Sequence, residues 1–291
     1  MQTIENPQDL ADLKAAVALL ESDSLTMQIA GVVGKPIEWV LDNLPKGASE
    51  KIQKAVHAAL NKSVDAALMT MSGMEAEEAS NKTHVGLAAI SGAVGGFFGL
   101  AGTLLELPVS TTIMMRSVAD IARSQGFDVN DPLIKAECIQ VFAMGGPSED
   151  DDAAESAYYG MRNAMVAVAQ EVGKGLAEVA AREAAKAAAA GATSAGFRGT
   201  ANMAPKEVGG LLVRLIEAVA GRFGVQVTEK MAAQAVPVVG AVSGATINSL
   251  FINHFQDMAQ GHFTVLRLEQ RYGKDVVEAQ YQSLQKLLKK D

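Results

Sequence analysis

Apolar positions recur at three- and four-residue spacing along most of the chain, and Gly or Pro separates the segments they define. Residues 8–21 place Leu10, Leu13, Val17 and Leu20 on one face, which predicts an amphipathic helix. GKPIEWVLDNLPKGASEK predicts a short helix stopped by Pro45 and Gly47, then a longer one that starts after Ser49 and ends near Gly73. After Pro108 a helix is predicted to about Ser124, closed by Gly126 as a left-handed cap with Phe127 as its apolar partner. NDPLIKAECIQVFAMGGP predicts a helix with Asp131 as N-cap, Pro132 in the first position and Gly145-Gly146 as the stop.

SEDDDAAES, residues 148–156, supplies acids that suit the N-terminal dipole of a long Ala-rich helix running to about residue 190. The small, polar stretch 191–206 reads as a loop. Helices are predicted at 206–222, 225–235, 238–259, 262–272 and 274–290, divided by Gly224, Pro237, Gly261 and Gly273. Strand-like alternation is missing, and so is any repeat with a period of about 20–50 residues. The fold class is therefore all-α, a multi-helix bundle.

Two runs lack charge altogether. Val85–Leu105 has 21 residues, six of them Gly and four Ala, and Met231–Asn253 has 23, broken by Pro237. Either would span about 30 Å of hydrocarbon as a helix. Glycine, however, disfavours a helix interior by about 1 kcal/mol relative to Ala and adds little apolar area. Gly92 with Gly96, Gly95 with Gly99, and Gly240 with Gly244 form small-residue rows that let helix backbones approach closely. Close packing in a core, reversible entry into lipid and permanent spans all stay open here.

Composition narrows the classes. Hydrophobic residues make up 49% and aromatics only 5%, a mix weighted to unbranched helix formers. A net charge of −8 argues against a nucleic-acid partner, which needs a basic footprint. The lone Cys138 allows no intrachain disulfide and suits a reducing compartment. MQTIENPQDLADLKAA has neither the basic nor the apolar region of a secretory signal. Cytoplasmic residence is expected, with the inner face of a membrane as the working surface. Arg267 to Asp291 holds six Lys or Arg against four acids, with Leu284, Leu287 and Leu288 among Lys286, Lys289 and Lys290. Such a helix can lie on an anionic surface, or its last-turn lysines can simply complement the helix dipole.

Phosphate-loop, nucleophile-elbow and zinc-protease motifs are not found. Arg116, Asp120 and Arg123 stand at i, i+4 and i+7 on one helix face, either as solvated ion pairs or joined to Glu106 in a buried polar network. His254, Asp257 and His262 are a weak metal or acid/base set, lacking a firm third ligand. Cys138, among Ala136, Ile139 and Val141, reads as a small buried hydrophobe.

LLELPVSTTIMMRSVADIARSQG, AECIQVFAMGG and VPVVGAVSGATINSLFINHFQDMAQGHFTVLRLEQRYG, in that order, resemble the EcsC family of bacterial proteins. The resemblance covers roughly residues 50–285, so residues 1–49 are read as an N-terminal helical extension and 50–291 as the EcsC-like domain. It places Glu106, Pro108, Arg116, Asp120, Arg123, Cys138, Asn248, His254, His262, Arg267 and Glu269 inside matching motifs without assigning roles. The family takes its name from a gene beside an ABC transporter in a secretion-linked operon. A transporter or secretion partner is thus an association of gene context only.

Three functions follow as expectations. The first is a helical protein that associates peripherally with membranes or binds an amphiphile through its Gly-rich helices, with Glu106, Arg116, Asp120, Arg123, Asn248, Arg267 and Glu269 as its polar network. The second is a hydrolase using Glu106, Asp120, His254 and His262. The third is a scaffold accessory to transport or secretion. No cofactor is indicated.

Overall fold

The computed structural model describes residues 3–34, 37–42, 44, 46–70, 99–146, 156–189, 205–235 and 240–289. These form α1 (Pro7–Leu20), α2 (Leu25–Val33), α3 (Ile37–Asp42), α4 (Ala48–Thr70), α5 (Gly99–Ser124), α6 (Pro132–Gln140), a 3-10 turn (Val141–Ala143), α7 (Ala157–Ala189), α8 (Pro205–Ala235), α9 (Gly240–Tyr272) and α10 (Lys274–Leu288). No strand occurs among the described residues, and the fold is an all-α bundle.

Local chemistry sets the helix ends. The Asn6 side chain accepts from the N–H groups of Gln8 and Asp9, and Asp131 accepts from Leu133 N–H. Ser156 caps α7 by accepting from Tyr159 N–H at 3.0 Å. The acids at 148–155 lie outside the described residues. Helix α5 ends as expected: Phe127 N–H reaches Ala122 O, Gly126 N–H reaches Arg123 O, and Gly126 has φ of 91°.

Three expected breaks are absent. Pro108 lies inside α5, Gly224 inside α8 and Gly261 inside α9, so one helix replaces two at 205–235 and again at 240–272. A proline removes one backbone hydrogen bond and a glycine disfavours helix by about 1 kcal/mol. Burial of Leu107, Thr111, Met114 and Met115 on α5, and of Phe223 and Val227 on α8, outweighs those local penalties.

The two glycines serve close approach instead. A Cβ on Gly261 would sit 2.5 Å from Leu20 Cγ, where α1 meets α9, and one on Gly224 would meet the Gln53 amide at 2.3 Å. Gln53 can swing its amide aside, whereas Leu20 is packed in the core. Gly261→Ala is therefore expected to lose about 1–2 kcal/mol, overpacking outweighing the gain in helix propensity. Gly224→Ala should be neutral or stabilising by up to about 1 kcal/mol. Urea denaturation of the two variants measures the contrast, and equal losses would contradict it.

Helix α9 runs through the centre, against α1, α5 and α10, while α4 packs on α5 and α8. Phe142 from the 3-10 turn, Phe223 from α8 and Phe251 with Phe255 from α9 form one aromatic cluster, with ring centroids 5.0–6.0 Å apart. The N-terminal helix is clamped to α9 by Arg267 on Asp12 at 2.7 Å, by Arg271 on Asp9 at 2.9 Å and by the Tyr272 hydroxyl on Asp9. Among the described residues no single helix is long and apolar enough to cross a membrane. The α1–α2 pair, bent by 54°, passes on length and composition, yet Leu13, Val17, Leu20, Leu25 and Ile29 from it are buried in the core.

Candidate functional site

Where α5, α8 and α9 meet, three buried polar side chains converge. Glu106 ends the first uncharged run, Lys230 directly precedes the second, and Asn248 lies within it. Lys230 Nζ is 3.9 Å from Glu106 Oε1, and Asn248 Nδ2–H donates to the same oxygen at 3.3 Å. The ammonium also stands 4.7 Å from the Phe251 ring centroid. Lys230 is 1% exposed, and its Nζ has no hydrogen-bond acceptor among the described residues. Burial pushes its pKa below the ordinary lysine value, and the Glu106 charge opposes that shift. One turn further along α8, both amide atoms of Gln234 are buried without a partner among the described residues.

The expected larger network does not assemble around Glu106. Arg116 is exposed, while Asp120 and Arg123 are buried and paired at 2.5 Å. Glu106 and Asp120 are 14 residues apart on one helix, about 21 Å along its axis, too far to serve one reacting atom. Arg267 instead holds Asp12 and Gln125, and Glu269 receives a two-pronged contact from Arg162 at 2.7 and 3.1 Å.

The two histidines of α9 have separate environments, about 12 Å apart along the helix. His254 makes a backbone hydrogen bond with Met144, and burial pulls its pKa down to about 4. Its ring edge abuts Gly145, where φ is +68° and a Cβ would lie 2.2 Å from Nε2. His262 lies between Tyr158, whose hydroxyl is 2.9 Å from Nδ1, and Glu137, whose Oε2 is 3.0 Å from Nε2. Tyr158 is 4% exposed and stacks on Tyr281. Both His262 nitrogens are thus occupied, so the arrangement ties α6, α7 and α9 together and presents no lone pair to a substrate.

Glu106, Asp120, His254 and His262 therefore do not form the expected catalytic set. Nor do His254, Asp257 and His262 form a metal site. Asp257 is exposed, the histidines face different neighbours, and no group of three or more potential ligands occurs among the described residues. Cys138 is a free buried thiol whose pKa burial raises. Gly92, Gly95 and Gly96 lie outside the described residues, Gly99 opens α5, and Gly240 and Gly244 begin α9.

Sequence reasoning missed Lys230 and Gln234, although the spacing held a signal. Lys230 stands three residues after Val227 and seven after Phe223, a core position of the helical pattern. Tyr158, Arg162 and Glu137 were missed too; YYGMR groups two of only four tyrosines beside an arginine.

No curated protein and no solved structure matches the chain. The sequence profile of the EcsC protein family matches residues 19–268 of the 291, from the end of α1 to near the end of α9, and takes in Glu106, Lys230 and Asn248. The chain belongs to the EcsC protein family.

Proposed function

We propose that this chain binds an amphiphile, seating its head group at Lys230, Glu106 and Asn248 and its apolar chain along the described helices α5, α8 and α9 that meet there. One observation carries the reading: a buried ammonium with no hydrogen-bond acceptor among the described residues, set where both uncharged runs begin or end. Buried charge is retained against a large desolvation penalty, and ligand sites combine apolar walls with a few convergent polar groups. Loading would take place at a membrane surface, which makes peripheral association at the inner face part of the same proposal.

The purified chain is expected to carry or take up a dodecyl-chain amphiphile in native mass spectrometry and to float with phosphatidylglycerol vesicles. Lys230→Met should weaken uptake at least about tenfold, the scale of one lost hydrogen bond from a charged group. A lipid-free chain that takes up no amphiphile and stays wholly in the soluble fraction removes the reading.

A further inference from the structure

The amphiphile reading leaves open what kind of head group the site takes, and its charge balance bears on this. Among the described residues the centre holds one ammonium, Lys230, and one carboxylate, Glu106, 3.9 Å apart, with Asn248 bridging to the same carboxylate oxygen. The pair is already neutral as a unit. A further charge brought into such surroundings would be left uncompensated where water cannot screen it. Lys230 still offers N–H donors, and Gln234, four residues on along the same helix, offers a donor and an acceptor. A complementary head group carries no charge and both donates and accepts hydrogen bonds.

We infer, resting on that reading, that the site selects amphiphiles with uncharged hydroxyl or amide heads, such as monoacylglycerols, over fatty-acid anions. Glu106 is the specificity-determining residue. Its carboxylate repels an incoming anion and satisfies the charge of Lys230, so no counter-charge is required from the ligand. Removing that carboxylate charge while keeping its shape should turn the same polar centre into an anion site, because Lys230 would then lack its partner.

Titration calorimetry of the full chain at neutral pH, with 1-monododecanoylglycerol and dodecanoate each below its aggregation threshold, tests this. The folded chain is expected to bind the monoacylglycerol at least about tenfold more tightly, and Glu106→Gln to reverse the order. Equal or tighter binding of dodecanoate by the unsubstituted chain would overturn the inference while leaving the amphiphile site in place. So would a folded Glu106→Gln chain that keeps the original preference. Binding of neither compound would instead remove the amphiphile reading itself. Should Glu106→Gln fail to fold, the preference of the unsubstituted chain decides alone.

Discussion

Glu106→Ala is expected to lose about 3–5 kcal/mol of folding stability, whereas Glu106→Leu combined with Lys230→Met should lose far less. The single substitution strands an ammonium that is 1% exposed beside the Phe251 ring, with no other counter-charge acting on it among the described residues. The double one removes both charges and leaves apolar groups of similar volume, which buried sites tolerate well. A ceiling on the loss comes from proton release: neutralising a lysine of pKa 10.5 near pH 7 requires about 5 kcal/mol. The penalty of the single variant should therefore shrink as pH rises toward 10.5, where the lysine sheds its proton without help. A double-mutant cycle by urea denaturation measures both effects. A single variant as mild as the double would show that Lys230 has other support, and a pH-independent loss would rule out a stranded charge.

The second large effect concerns acid. His254 titrates near 4 in the fold against 6.5 for an ordinary imidazole, so in that range the unfolded chain holds a proton that the native one does not. Its contribution is complete above pH 6.5 and is lost progressively as pH falls toward 4, by about 3 kcal/mol in all. Burial is the main cause, and the Met144 hydrogen bond works in the opposite direction. The stability difference between the unsubstituted chain and His254→Gln is expected to be largest above pH 6.5 and to shrink through this window. Parallel stability-against-pH curves for the two proteins would mean that His254 ionises in the fold as it does in water.

Features decided within a few residues were legible before any coordinates. The Asp131 cap, Pro132 at the helix start and the Gly126–Phe127 closure of α5 depend on neighbours in sequence, and each occurs as read. Pro108, Gly224 and Gly261 misled because their local penalties are small beside packing contributed by distant helices. The site divides along the same line. Glu106 stood out as a charge closing an apolar run, and Asn248 was reached through the family motif that contains it. Lys230 did not, since its long apolar stem occupies a core position while the charge sits at the tip. The partners of His262 lie 104 and 125 residues away along the chain, beyond the reach of spacing.

The clamp between α1 and α9 has a consequence for synthesis. Arg267 and Tyr272 grip Asp12 and Asp9 from 255 and 263 residues downstream. At about 5–20 residues per second, α1 leaves the ribosome roughly 13–50 s before the helix that holds it. Throughout that interval Leu13, Val17 and Leu20 have no native seat on α9. Until α9 is made, α1 therefore lacks the surface that covers its apolar side chains, and only the synthesis of residues 267–272 supplies the groups that lock it into the fold.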